Sequence, residues 1–472
     1  MSNRVLALAL CLVLSVLILS CEKDPTKPSD PKHVTSQTVE PFSRIMNGTV
    51  HARDVVETSD GNSVVVGTFW GQMDITDSDS LVAQNAIGDL FLLSFTPAGA
   101  VSWSKGFAYD GTTFATRIGR DASDNLYVGG IYGRFSTLVF NTSLPVYGKE
   151  DLFVSKLDKT GEPLWTIGGG AYDIDHLADM LVTPEGGLFV CGWLSYGAAS
   201  LGGVEFGGGS SYSGFLAALG SDGSGRWAAT AKASDVGYAV CRALARNEAG
   251  TVYVGGDFSQ GTVEVAGHTF EKDRAQDKFD MFVAGFDPDG KPTTAFQIRG
   301  NGWAYLAALA TLDGGPVVMG NISDTADFDM NNPGGEITSA GETDAFVARY
   351  DTNGELMWVK TIGATAAEET VRKVCRIGVS DLLVLGTFTN SITFGDKTYT
   401  THGAHDFYVA RLNADGEVLW GAPLGGPGDD IVGQITSDGE GWAATGWADL
   451  GDFEFPDGTI RPAGGSFLYR QP

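Results

Sequence analysis

Short runs of β-branched, aromatic and aliphatic residues recur from about residue 41 to the end of the chain, and turns rich in glycine and aspartate separate them. Val64–Val66 and Leu126–Val128 belong to two such runs. After the first 20 residues, no stretch has the three-to-four-residue hydrophobic spacing of an amphipathic helix. Short apolar runs bounded by turn residues are typical of β-strands. The pattern therefore predicts an all-β fold.

One sequence motif occurs seven times. It consists of Asp, any residue and Phe, then Gly eight residues after the Phe and Trp four residues after that Gly. Successive copies are 59 to 67 residues apart, and such self-similarity indicates a repeat architecture. The aromatic residues that mark the copies are Phe91, Phe153, Phe215, Phe282, Phe346, Tyr408 and Phe467.

A second motif, an apolar run that ends in glycine, keeps the same spacing. Together the two motifs divide each repeat into four predicted strands, A to D. Strand A is short and apolar, strand B ends at the glycine, strand C carries Asp-x-Phe and strand D carries Trp. The turn between strands C and D, as in Asp287–Gly290, has the residues of a type I turn and lacks the later ligands of a calcium loop. The glycines that end strand B are Gly67, Gly129, Gly192, Gly256, Gly320, Gly386 and Gly446.

Strand C is apolar on both faces. In the fifth repeat, Phe346, Ala348 and Tyr350 alternate with Ala345 and Val347. A strand buried on both faces fits a small sheet packed between two others, as in radially stacked four-stranded blades. The sequence therefore predicts a single seven-bladed β-propeller.

The two ends of the predicted propeller complement each other. The seventh repeat reaches Pro472 without a strand D, and Pro41–Gly48 resembles a strand D that precedes the first strand A. An N-terminal strand that completes the last blade closes the ring and removes its free edge. We expect residues 41–472 to form this one domain.

The repeats resemble the bacterial seven-bladed β-propeller (SBBP-type) repeat. Asp344–Trp358 and Asp406–Trp420 are the copies most similar to it. Ser213 replaces Asp in the third repeat, and Thr294 replaces Trp in the fourth, where Phe296 on the same strand face can substitute. The resemblance implies the propeller fold and export. The family has no single activity, so it implies no catalytic residue.

The N-terminal segment has the features of an export signal. Arg4 precedes a 16-residue apolar run, Val5–Ser20, which is short for a membrane-spanning helix. Ile18–Cys21 resembles the lipobox of bacterial lipoproteins, which implies cleavage after residue 20 and acylation of Cys21. The alternative is an ordinary secretory leader. Residues 21–40 are polar and rich in Pro, Lys and Asp, so we expect a flexible tether.

Composition and charge limit the classes of molecule that this protein can be expected to bind. The chain has 31 Lys and Arg against 58 Asp and Glu, a net charge of −27, which argues against nucleic acid as a partner. The lipid anchor predicts attachment to the cell envelope, and Glu22 directly after Cys21 favours the outer membrane or cell surface over the inner membrane. Cys191, Cys241 and Cys375 remain in the mature domain; free thiols are the favoured interpretation, with one disulfide as the alternative.

Candidate chemistry is limited to acidic residues. No nucleophile elbow, HExxH, P-loop or CxxC motif is present, and no catalytic residue can be assigned. Carboxylates recur in the loops between strand D and the next strand A, where they could hold Ca²⁺ or a basic partner; the alternative is solvated loops. His402 and His405 form a second, weaker metal candidate. The members of this predicted acidic ring are Asp110, Asp173, Asp175, Asp235, Glu368, Glu369, Asp429 and Asp430.

Three functions follow as hypotheses. The first is a lipid-anchored binding scaffold that presents the propeller to a protein or glycan and needs no cofactor. The second is an enzyme acting on envelope or extracellular polysaccharide, with Asp173 and Asp175 or Asp429 and Asp430 as acid and base. Adjacent acids rarely reach the separation that this chemistry needs, which disfavours it. The third is a structural or adhesive role in the envelope.

Overall fold

The computed structural model describes residues 41–471 except 77–78, 85, 109–110, 134–137, 235–236, 273–277, 331–333, 363–367, 438, 440, 449–450 and 463–464. These described residues form one compact unit. They fold as antiparallel strands and contain no helix, in agreement with the predicted all-β class. Consequently none of them belongs to a helix long and apolar enough to cross a membrane. The predicted signal peptide and tether, with Cys21, lie outside the described residues.

The described residues form 38 strands. The first 19 are β1 (Phe42–Glu57), β2 (Ser63–Thr76), β3 (Asp79–Val82), β4 (Asp89–Phe95), β5 (Val101–Phe107), β6 (Thr112–Arg120), β7 (Leu126–Gly133), β8 (Leu138–Val139), β9 (Thr142–Ser143), β10 (Glu150–Leu157), β11 (Pro163–Gly169), β12 (His176–Val182), β13 (Leu188–Leu201), β14 (Val204–Leu219), β15 (Gly225–Ala233), β16 (Ala239–Arg246), β17 (Val252–Phe258), β18 (Gly261–Val265) and β19 (His268–Lys272).

The other 19 strands follow in the same pattern. They are β20 (Asp280–Phe286), β21 (Pro292–Gly300), β22 (Ala304–Leu312), β23 (Gly315–Ile322), β24 (Thr325–Asp327), β25 (Glu336–Thr338), β26 (Asp344–Tyr350), β27 (Leu356–Ile362), β28 (Glu369–Ile377), β29 (Asp381–Phe388), β30 (Ser391–Phe394), β31 (Lys397–Thr400), β32 (Asp406–Leu412), β33 (Val418–Leu424), β34 (Ile431–Ser437), β35 (Trp442–Ala448), β36 (Asp452–Glu454), β37 (Ile460–Pro462) and β38 (Gly465–Gln471).

Strands A to D of each repeat pair in sequence order, and every pairing is antiparallel. The second repeat, for example, pairs β6 with β7, β7 with β10, and β10 with β11. The extra short strands lie in the segments between strands B and C. Some of them extend a sheet, since β18 pairs with the preceding strand D, β15. The repeat pattern does not predict these short strands, because two to five residues give little periodicity to detect.

The two ends of the domain pair with each other. The first part of β1 pairs with β38, from Phe42 opposite Arg470 to Asn47 opposite Gly465. The later part of β1 pairs with β2 as strand A of the first repeat. This is the pairing that the sequence analysis expected. In addition, each strand A contacts the strand A of the next repeat, and β34 of the seventh repeat contacts β1 of the first.

The hydrophobic core lies between repeats. Seven clusters of buried residues each combine side chains from two successive repeats, and one joins Ala443 and Leu468 of the seventh to the first. Every residue of strands C β4, β20 and β26 is buried, in agreement with their two apolar faces. The cysteines of the domain, Cys191, Cys241 and Cys375, are free thiols.

The Gly and Trp of the repeat motif meet across repeat boundaries. Trp227 Nε1 donates a hydrogen bond of 3.0 Å to the carbonyl of Pro288, in the C–D turn of the next repeat. Gly290 in that turn has φ +83° and lies against the Trp227 ring, which leaves no room for a Cβ. In the fourth repeat, which lacks Trp, Thr294 Oγ1 donates the equivalent bond to Asn353, and the Phe296 ring lies against Gly354. The predicted substitution by Phe296 is therefore correct.

Candidate functional site

A cavity of about 880 Å³ is lined by strand A of all seven repeats. Its size lies at the upper end of the range for small-molecule sites. Strand B contributes four of the lining residues, Ile131, Trp193, Asn321 and Trp447, and strand A contributes the rest. The basic side chains of the lining are Arg53, Arg117, Arg242, Arg372 and Lys373, and the imidazoles of His51 and His176 also line the cavity.

A β-bulge interrupts each strand A where it borders the cavity. The register shift falls between Ala52 and Asp54 in β1, and the same irregularity recurs in the other six repeats. A bulge adds one unpaired residue and changes the direction of its side chain. At least one residue from each irregularity lines the cavity: Arg53, Thr116, Ala178, Arg242, Ala307, Arg372 and Gly433.

Glycines in strand B make six of these bulges possible. A Cβ at Gly256 would overlap the carbonyl oxygen of Val240, immediately before the bulge that carries Arg242. The same carbonyl-to-glycine approach occurs in five other repeats. The glycine that ends the strand B run in the sequence permits the bulge in each of these repeats except the second, where the next residue, Gly130, does so. The glycines involved are Gly67, Gly130, Gly192, Gly256, Gly320 and Gly386.

The cavity is lined by five basic residues and no acidic one, among the residues that the structure describes. Two of the five are paired with carboxylates behind the lining. Arg117 Nε lies 2.9 Å from Asp179 Oδ1, and Arg242 Nη2 lies 2.8 Å from the fully buried Asp257 Oδ2. Burial opposes the charge on Arg242, but Asp257 outweighs it and the pKa of Arg242 is raised.

The side chains of the other three cations form no ion pair or hydrogen bond with the described residues; Arg53 and Arg372 are exposed and Lys373 is partly buried. Burial, with the neighbouring Arg117 charge, lowers the pKa of Lys373 to about 8, although Asp179 and Asp54 act in the opposite direction. Asp54 is itself buried, and burial raises its pKa to about 6. The lining of this one cavity therefore has an excess of positive charge in a chain whose net charge is −27.

Aromatic and imidazole rings line the same cavity. The His176 ring stacks on Trp193 with centroids 4.1 Å apart, and His51 contacts Trp447 edge-on. Burial, followed by the Arg117 and Arg242 charges, lowers the pKa of His176 to about 4, so this imidazole is neutral at pH 7. Its Nδ1 is buried and has no hydrogen-bond partner among the described residues. The cavity therefore offers cations and flat aromatic rings in one place.

The predicted acidic ring lies elsewhere. Asp110 and Asp235 fall outside the described residues. The remaining six occupy equivalent places, just before or at the start of a strand A, but none of them lines the cavity. These six are Asp173, Asp175, Glu368, Glu369, Asp429 and Asp430.

Several of these acids have structural partners. Asp173 Oδ1 lies 2.7 Å from Lys149 Nζ, and the buried Asp430 accepts a hydrogen bond from the Gly426 amide at 2.9 Å. His405 Nδ1 lies 2.8 Å from Asp429 Oδ1. Within the described ranges no three His, Cys, Asp or Glu side chains converge as metal ligands would. Binding of Ca²⁺ or a basic partner at the ring stays a prediction, as does lipidation of Cys21.

Sequence reasoning missed the cationic cavity. The cue was available, because Arg53, Arg242 and Arg372 each precede the strand-B glycine of their repeat by 14 residues. Basic residues at one repeat position must share one location in a repetitive fold. They were overlooked because the acids outnumber them and because a bulge reverses the side-chain alternation expected of a regular strand.

Comparisons with known proteins assign no function. No protein-family model matches the chain, and no curated protein does. Similar solved structures include a puromycin hydrolase S511A mutant complexed with PGG (13% identity, TM-score 0.47), with 89% of this chain and 54% of that chain covered, so this chain spans about half its length. A protein of unknown function from Dyadobacter fermentans is 11% identical with a TM-score of 0.42, and the match covers 92% of this chain and 97% of that chain. A member of the DUF4221 family from Bacteroides vulgatus is 8% identical with a TM-score of 0.30, and the match covers 91% of this chain and 95% of that chain.

Proposed function

We propose that this protein is a seven-bladed β-propeller that binds an anionic ligand in its central cavity. Seven four-stranded units, seven inter-repeat cores and the contact between β34 and β1 support the propeller. The chain is further proposed to belong with the SBBP-type repeat proteins. In this arrangement strand A of each blade lies nearest the axis, and the seven bulges face the channel.

The observation that carries the binding function is the set of unpaired cations. Arg53 and Arg372 have exposed side chains and Lys373 is partly buried, and none of the three forms an ion pair with the described residues. They come from strands A of the first and sixth repeats and line one cavity, so their positive charges repel one another. An anion that enters the cavity forms charge-assisted hydrogen bonds with these groups and offsets the repulsion.

A binding scaffold is favoured over the polysaccharide-acting enzyme. The acid pairs considered as acid and base, Asp173 with Asp175 and Asp429 with Asp430, lie outside the cavity lining. Attachment through Cys21 would place the cavity at the cell envelope, in the outer membrane or at the cell surface. Replacement of Cys21 by Ser should release the protein from membranes and remove the mass of the acyl chains. A variant that stays in the membrane fraction with unchanged mass would refute the anchor.

The binding proposal is tested by thermal stabilisation with a panel of anions: sulfate, phosphate, citrate and galacturonate. We expect at least one of them to raise the melting temperature of the full chain at constant ionic strength. The double variant Arg53→Gln/Arg372→Gln should lose this response. If the variant responds to every anion as the unmodified protein does, the cavity is not the binding site and the proposal is wrong.

A further inference from the structure

A strip of four aromatic side chains runs towards the cavity between the fourth and fifth repeats. Its members are Tyr238, Phe279, Trp303 and Tyr305. Phe279 lies 5.0 Å from Trp303 and 5.1 Å from both Tyr238 and Tyr305, measured between ring centroids. The Trp303 and Tyr305 rings are stacked with their planes nearly parallel, at an interplanar angle of 9° and a centroid distance of 5.8 Å.

The strip joins the outer surface to the cations of the cavity. Trp303 is 45% exposed, although a large aromatic side chain normally loses most of its surface to the core. Tyr305, at the other end, lines the cavity, and the Arg242 guanidinium lies over its ring at 5.7 Å. A ligand in contact with Trp303 can therefore extend along the rings and reach positive charge without leaving the protein surface.

The two surfaces suit different parts of one ligand. The C–H face of a sugar ring packs on an aromatic ring by dispersion and weak C–H contacts. Carboxylate or sulfate groups suit the guanidinium and ammonium groups of the cavity. The cations come from strands A of four repeats, β1, β6, β16 and β28, so the charge is distributed around the cavity rather than gathered at one point. Distributed charge fits several separated anionic groups better than one phosphate group.

We infer that the anionic ligand is an acidic oligosaccharide, bound with its sugar rings on the Trp303–Phe279–Tyr305 strip and its carboxylate or sulfate groups among Arg242, Arg372 and Lys373. This inference rests on the proposed anion-binding function and names the ligand class of the same cavity. Two classes of glycan carry such acidic groups on their sugar rings: glycans that contain uronic acids and sulfated glycans.

The test is isothermal titration of the full chain, kept in mild detergent, with three tetrasaccharides. Tetragalacturonate and a heparin-derived tetrasaccharide carry carboxylate and sulfate, and maltotetraose is the neutral control. We expect at least one acidic tetrasaccharide to bind and maltotetraose not to bind. Trp303→Ala should weaken the binding about fivefold, the loss expected for one stacked ring. Arg372→Gln should weaken it about tenfold or more, the loss expected for a charge-assisted hydrogen bond.

Trp420→Ala is the matched control, because Trp420 is similarly exposed but lies on β33, an outer strand of the sixth repeat. Its affinity should equal that of the unmodified protein. Failure of both acidic tetrasaccharides, or binding that Trp303→Ala leaves unchanged, overturns the acidic-glycan inference. Sulfate or citrate would still stabilise the protein through Arg53 and Arg372 in that case, and the anion-binding proposal would stand. Failure of the simple anions as well overturns both.

Discussion

Replacement of Lys373 by methionine should stabilise the ligand-free protein. The Lys373 side chain lines the cavity close to the positive Arg117 and is partly buried. Its charge is opposed by burial and by Arg117, and only partly compensated by Asp54 and Asp179. Methionine has nearly the same length and no charge, so it can occupy the site without a large change in packing.

The size of the effect follows from the pKa. The native pKa of Lys373 is about 8, against 10.5 for an ordinary lysine. At about 1.4 kcal/mol per pKa unit, the charged form is destabilised by about 3 kcal/mol in the folded state, an upper value for a partly exposed group. Below pH 8 this destabilisation is fully present. Between pH 8 and 10.5 the folded protein loses the proton before the unfolded chain does, so stability recovers as the pH rises.

Urea unfolding at pH 7 and pH 10.5 measures the difference. At pH 7 the free energy of unfolding of Lys373→Met should be about 2–3 kcal/mol higher than that of the unmodified protein. At pH 10.5 this difference should nearly disappear. Lys159→Met, at an exposed turn position, is the control and should change stability by less than about 0.5 kcal/mol. A destabilised Lys373→Met, or a gap that does not depend on pH, would refute the reasoning about unpaired cavity charge.

Three further predictions concern the framework around the site. Burial raises the pKa of Asp175 from 3.8 to about 7, so ionisation of this carboxyl destabilises the folded protein as the pH rises. In urea titrations, the free energy of unfolding of Asp175→Asn minus that of the unmodified protein should therefore increase between pH 4 and 8; a constant difference would contradict this. Gly256→Ala should lower the free energy of unfolding by about 1–3 kcal/mol and weaken anion binding, because its Cβ overlaps Val240; an unchanged melting temperature would refute the bulge argument. The buried Cys191 and Cys241 thiols should react with maleimide only in denaturant. If mass spectrometry finds both cysteines labelled after maleimide treatment of the folded protein, the structure is contradicted.

The all-β class and the order of the strands could be predicted from the sequence because their determinants are local and repeated. The same features recur at regular spacing along the chain: the Trp and Gly of the motif, such as Trp227 and Gly290, and a strand C that is apolar on both faces, such as β26. Each repeat therefore supports the interpretation of the others. Pairing of β1 with β38 could be anticipated by counting strands, since an unpaired edge at each end suggests that the ends meet. The short strands between strands B and C could not be predicted from the sequence, because these segments vary in length from repeat to repeat.

The candidate site was much less accessible from sequence. Which cations are paired depends on atoms that are distant along the chain, such as Asp179 with Arg117 across 62 residues. The acids were conspicuous in number, yet Asp175 and Asp430 are buried beside backbone amides. The basic residues were few, and their convergence requires both the strand A bulge and the alignment of all seven strands A around one cavity.

The most direct test of the central claim is anomalous diffraction from crystals of the protein soaked in selenate, a tetrahedral dianion. The account predicts an anomalous peak inside the cavity, within hydrogen-bond distance of Arg372 or Arg53, and loss of that peak in Arg53→Gln/Arg372→Gln crystals. A cavity that holds only water, while selenate occupies sites on the outer surface, would contradict the proposal that this cavity binds anions.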